Sequence, residues 1–203
     1  MEPAWPHRPG ASFDLHPMSD ALSLYLELGF YHIVDIHAWD HLLFIIALIA
    51  PIPFKAWKSW LAALSAFTFA HTAAMAIQAV GPIPLDKTWI EWAVLATLWI
   101  TAGRVVWLKG VYQPKAKLWI LAGVFGLIHG AAFWSDFAIM VPEGGFTWEL
   151  WLGFTAGVEC GQLAVVASLF VFRAILEQLR WSTRDIALML GSICLGIALH
   201  LAF

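Results

Sequence analysis

Apolar stretches long enough to cross a membrane recur six times in this chain, at about 36–53, 57–80, 88–108, 117–140, 148–176 and 185–203. A helix needs about 20 mainly apolar residues to span the hydrocarbon core. The expected fold is therefore all-α: a polytopic transmembrane helix bundle of about six spanning helices. Pro51, Pro53, Gly81, Pro82, Pro84, Pro114 and the run from Pro142 to Gly145 punctuate the connections between these stretches. None of those connections could hold a soluble domain, so residues 1–203 read as a single integral membrane domain. The chain is 61% hydrophobic and 12% charged, whereas soluble domains carry about 25% charged residues. A net charge of −3 without a basic stripe excludes a nucleic-acid partner. Cys160 and Cys194 both lie inside apolar runs and form no disulfide framework.

The cationic residues alternate from loop to loop. Lys55, Lys58, Arg104, Lys109, Lys115, Lys117, Arg173, Arg180 and Arg184 border one set of connections, and only Arg8 and Lys87 border the other. By the positive-inside rule the richer side is cytoplasmic. That places both termini in the periplasm of a bacterial inner membrane. Nine tryptophans (57, 60, 89, 92, 107, 119, 148, 151 and 181) fall near predicted span ends, where indole anchors at the headgroup layer. Residues 1–20 read as a polar periplasmic head without the charged start of a signal peptide. Residues 20–34 are helical in pattern but too few to cross alone. A break near Asp35 is expected, with a short N-terminal interfacial helix leading into the six-span bundle from about residue 36.

Ionisable side chains inside these spans are costly, about 2.5–3.5 kcal/mol for an aspartate at a helix centre. The chain nevertheless carries Asp40, His41, His71, Glu91, His129 and Glu159 there. At about 1.5 Å per residue, all fall in the outer half of the membrane or near its midplane. His37, Asp40 and His41 stand at i, i+3 and i+4, so they share one helix face. Two histidines four residues apart with a carboxylate between them suit a divalent transition metal. Each histidine taken alone has a structural alternative, a hydrogen bond to a neighbouring helix. The carboxylates are harder to explain that way. His32 and Asp35 at the break are candidate ligands or an entrance attractive to cations.

Several stretches resemble one family. Gly29-Phe30-Tyr31-His32-Ile33-Val34-Asp35 followed by Asp40-His41-Leu42-Leu43-Phe44 is similar to the first-span signature of HupE/UreJ hydrogenase and urease accessory proteins. Ala66-Phe67-Thr68-Phe69-Ala70-His71-Thr72, Ile90-Glu91, Phe125-Gly126-Leu127-Ile128-His129-Gly130 and Phe154-Thr155-Ala156-Gly157-Val158-Glu159-Cys160-Gly161-Gln162 resemble the later ones, in order, over about residues 29–165. The resemblance implies a membrane protein of nickel or related metal uptake. It also implies a metal path through His32, Asp40, His41, His71, Glu91, His129 and Glu159. Ala38, Thr155 and the additional His37 depart from the family pattern.

Three functions are compatible with these residues. The first is a permease for nickel, cobalt or zinc linked to metalloenzyme maturation. The second is an intramembrane zinc hydrolase in which Glu159 is the catalytic base. The third is a structural subunit of a membrane complex. The expected partners are the lipid bilayer and a divalent metal ion, with a homo-oligomer or a membrane-complex partner also compatible.

Overall fold

The computed structural model describes residues 18–35, 39–81, 83–114, 117–141 and 147–202. Seven α-helices account for most of them: α1 (Met18–Val34), α2 (Trp39–Ile49), α3 (Trp57–Val80), α4 (Lys87–Trp107), α5 (Leu118–Phe137), α6 (Trp148–Gln178) and α7 (Thr183–His200). Side-chain caps start three of them. Asp86 accepts from the Trp89 amide, Thr147 from Leu150 and Ser182 from Asp185, satisfying amides that the first turn of a helix leaves unpaired. Helices α3 to α7 are each long and apolar enough to cross a membrane. Their outer faces expose Phe69, Ile100, Val124 and Val171, and their ends expose Trp57, Trp89, Trp107, Trp119, Trp148 and Trp181. Apolar surface on that scale belongs in lipid. The chain is a multi-pass membrane protein.

The beginning of the chain departs from expectation. The apolar run 36–53 does not form one helix, because α2 has only 11 residues, about 16 Å at 1.5 Å per residue. That is half a membrane thickness. α2 instead follows α1 across a break, bent by 70°, and the two together have the length and composition of one span. Nor is α1 an interfacial helix. It lies against α6, meeting Gly153 at Leu22, Gly157 at Leu26 and Gly161 at Phe30 and Ile33. Both sets of numbers rise together, so the helices are parallel and α1 descends into the bundle. A Cβ at Gly157 would collide with the Leu26 carbonyl, so this stripe of small residues is what lets the backbones touch. The break itself follows the last turn of α1, as the polar Asp35 predicts.

α2 then completes the crossing. Arg173, near the end of α6 and buried, donates from Nη1 to the carbonyls of Ile52 at 2.7 Å and Ala50 at 3.4 Å. These carbonyls close the C-terminal end of α2, where a helix leaves acceptors unpaired. The same end of the bundle gathers Lys55, Lys58, Arg104, Lys109, Lys117, Arg180 and Arg184. It is tied together by the Tyr112 hydroxyl on Ser59 (3.1 Å) and Arg184 Nε on the Lys109 carbonyl (3.0 Å). We call it the basic end. Lys115 lies outside the described residues.

A second parallel pair faces the first. Gly123 meets Ala66, Gly126 meets Phe67 and Gly130 meets His71, so α5 runs beside α3 in close backbone contact. α3 in turn is antiparallel to α6: Trp151 Nε1 donates to the Thr72 carbonyl at 3.0 Å, and Ser65 reaches Glu159 further along. α4 and α7 pack together on the far side of α2, where Trp99 Nε1 donates to the Ala198 carbonyl at 3.0 Å.

Candidate metal centre

The break between α1 and α2 is where the histidines meet. His32 occupies the last turn of α1, and Asp40 and His41 the first turn of α2. His71 comes from the middle of α3 and His129 from the middle of α5. Ring centroids of His32 and His41 lie 4.4 Å apart, His32 and His71 5.6 Å, His41 and His71 5.7 Å, and His41 and His129 5.4 Å. The glycine packing fixes two of these positions. Gly130 seats the backbone of α5 directly on the His71 carbonyl, and Gly161 seats α6 on Ile33, the neighbour of His32.

Two groups of potential ligand atoms result. Those of His32, His41 and His71 lie within 4.8 Å of one another, as do those of Asp40, His41 and His129. His41 belongs to both. An ion among them would sit about 2.0–2.2 Å from each donor, so modest side-chain rotation brings either group to bonding distance. The end of α1 adds to this, since the C-terminal carbonyls of a helix carry partial negative charge that favours a nearby cation.

The hydrogen bonds leave lone pairs where an ion would need them. Thr97 Oγ1 lies 2.6 Å from the Val94 carbonyl and gives its one proton there. Its 2.8 Å contact with His129 Nε2 must then use the proton on Nε2. That leaves Nδ1 of His129 as a bare acceptor, 4.0 Å from Asp40 Oδ2. Asp40 Oδ1 accepts from His41 Nδ1 at 3.1 Å. His32 Nε2, His41 Nε2, His129 Nδ1 and both nitrogens of His71 are buried without a hydrogen-bond partner. Unpaired polar atoms in an apolar interior are costly. Such atoms on four converging rings, one from each imidazole, fit cations held in the two overlapping groups. All four rings are buried, while the Asp40 side chain is 34% exposed.

Thr97 is absent from any reading of motifs. Nothing in the spacing of α4 shows that its hydroxyl would meet an imidazole from α5. Thr97→Val keeps the shape but removes the acceptor that holds His129. It is expected to lower metal affinity about 10–100-fold, the usual cost of losing such a supporting bond, measured by titrating the purified protein with metal.

Other candidate residues stand apart. Glu159 accepts the Ser65 hydroxyl proton at 2.7 Å on the seam of α3 and α6 and belongs to neither ligand group. Glu91 is exposed and lies 3.8 Å from Lys87 Nζ, one turn earlier on α4. Its nearness to the helix start lets it turn outward, as long charged side chains near span ends do. His37 lies outside the described residues. Cys160 is exposed and Cys194 buried, both as free thiols.

No curated protein and no solved structure is detectably similar to this chain. A family model does match, that of the HupE / UreJ protein, over residues 11–203. With nearly its whole length covered by that match, the chain belongs to the HupE/UreJ family.

Proposed function

We propose that this protein is a permease for a divalent transition metal of the nickel and cobalt type, feeding the maturation of a metalloenzyme such as a hydrogenase or urease. The observation that carries this reading is the set of unpaired imidazole nitrogens gathered at a helix break in mid-membrane. Broken helices are where transporters build their ion sites, because the freed helix ends then line a cavity and not lipid. Family membership supports the same reading, since HupE/UreJ proteins are associated with metal uptake for hydrogenase and urease. His32, His41, His71, Asp40 and His129 are the proposed ligands. Imidazole with one carboxylate suits nickel, cobalt and zinc alike.

Two overlapping groups favour passage over storage. A structural metal site is one closed cage, whereas conduction needs sites weak and adjacent enough for an ion to leave. Asp40, partly accessible, attracts a hydrated cation to the group it forms with His41 and His129, and His41 shares that ion with His32 and His71. The hydrolase alternative needs a second carboxylate as base, and Glu159 is engaged with Ser65 instead.

Asp40→Asn tests this directly. The amide keeps the volume but removes the charge, so the protein should fold with unchanged or higher thermal stability in detergent. Equilibrium binding of Ni2+, Co2+ and Zn2+, each supplied alone, should fall at least tenfold, with uptake by cells falling in parallel. Undiminished binding with lowered stability would make the cluster a structural hydrogen-bond network.

The basic end faces the cytoplasm in this proposal, with both termini in the periplasm of a bacterial inner membrane. In a cysteine-free background, a cysteine at Leu85 should react with an impermeant maleimide added to intact cells. One at Val111 should react only after the cells are opened.

A further inference from the structure

Three of the site histidines each have a phenylalanine one helical turn nearer the basic end. α2 runs toward that end, so Phe44 lies beyond His41. α3 and α5 run away from it, so Phe67 and Phe125 precede His71 and His129. The three buried rings meet under the histidines: Phe44 stacks on Phe67 at 4.8 Å and meets Phe125 edge-on at 6.0 Å. Phe67 lies 5.4–6.2 Å from His41, His71 and His129, and Phe44 lies 5.6 Å from His129. On the other side, Phe133 covers His32 at 3.8 Å and continues to Phe154 at 5.8 Å. The histidines are thus held between two aromatic layers. Among the proposed ligands, access from outside is through Asp40.

No metal crosses a floor of packed phenyl rings while they stay in contact. Stripping its ligands and water against apolar carbon is what makes hydrophobic constrictions act as closed gates. We propose that Phe44, Phe67 and Phe125 are the exit gate of the permease, and that α2 is the part that moves. This rests on the permease reading above. Phe67 and Phe125 stand on α3 and α5, which the Gly126 and Gly130 contacts lock into one unit. Phe44 stands on an 11-residue helix that also carries Asp40 and His41. One end of that helix is the break, its flanks pack on α4, α6 and α7, and its other end is held by the Arg173 guanidinium through two carbonyls. A tilt of α2 about Arg173 therefore lifts Phe44 from its partners and withdraws Asp40 and His41 from the ion in the same movement. Opening the floor and loosening the ligands become one event, so the ion is released toward the basic end.

Phe125 gives the cleanest test, because among the described residues its ring contact is with Phe44. Wild type, Phe125→Ala and Phe125→Trp would be purified and reconstituted in lipid vesicles. Ni2+, Co2+ and Zn2+, each alone, serve as probes, with Phe44→Leu as a milder second variant should Phe125→Ala fail to fold. Phe125→Ala should bind metal within twofold of wild type, yet admit it to vesicles at least five times faster. Phe125→Trp should bind equally and admit it at least five times more slowly. A Phe125→Ala or Phe44→Leu protein that binds normally but transports at or below the wild-type rate would overturn the gate and leave the permease standing. A wild-type protein that neither binds nor moves any of the three ions would overturn the permease reading, and the gate with it.

Discussion

His41→Ala is expected to abolish metal binding, by more than about 100-fold, where changes in supporting residues cost about 10–100-fold. The reason is position. His41 is the only residue in both ligand groups among the described residues, and its Nδ1 holds Asp40 at 3.1 Å. Its loss leaves His32 and His71 as one pair and His129 with an unsupported carboxylate as another. Neither pair meets the three protein ligands that open zinc and related sites ordinarily use. His32→Ala and His129→Ala should each spare one intact group and weaken binding less. The fold should survive all three, since each substitution also removes a buried nitrogen that has no partner. Isothermal titration with Ni2+ and thermal unfolding in detergent separate these effects. Equal losses for all three variants would argue for one undivided site in place of two overlapping groups.

The largest effect on folding should come from Gly157. A methyl there meets the Leu26 carbonyl and, at 2.8 Å, the Phe30 amide nitrogen. Both are backbone, so no side chain can swing aside. Overpacking ordinarily costs about 1–3 kcal/mol. Gly157→Ala should reach the top of that range, and Gly157→Val should yield no monodisperse protein, because α1 would be forced off α6 and His32 carried with it. Gly103, on α4, has open space around it. Gly103→Ala should be neutral or stabilising by up to about 1 kcal/mol, as expected from helix propensity. Size-exclusion profiles and unfolding midpoints of the three variants check this. A well-folded Gly157→Val protein would mean that α1 and α6 do not touch as described.

How far the sequence could be read depended on whether a property belongs to one helix or to two. The long helices α3 to α7 and the break after Val34 are properties of local pattern, which hydropathy and punctuation locate. The descent of α1 beside α6 is a property of a pair. Its only trace was the spacing of Gly153, Gly157 and Gly161, which marks a close-packing face without saying whose. The same distinction divides the site. His41, His71 and His129 were singled out by the cost of burying them. Glu159 was singled out by the same cost, but one residue of helix turns a side chain by about 100°, and only the neighbour α3 decides that it meets Ser65. Glu91 stands one turn from the start of α4, as its place in the sequence implies, but its turn outward toward Lys87 is a side-chain orientation that spacing does not fix. Thr97 and the phenylalanine floor are relations between helices distant in sequence and left no local mark.

The parallel pairing of α1 with α6 bears on how the protein is made. α1 leaves the ribosome well before α6, so its docking face is occupied only after more than a hundred further residues have followed it. Contacts between segments so far apart in the chain form late, because a long loop must close before they are rewarded. Until then α1 is an incomplete crossing with its glycine-facing stripe exposed, the kind of unpaired surface on which membrane insertases and chaperones act. α3 and α5 can pair earlier, bringing His71 and His129 together first. The residue synthesised first in this centre, His32, is therefore the last to be set in place, and the group of His32, His41 and His71 is completed only once α6 has arrived.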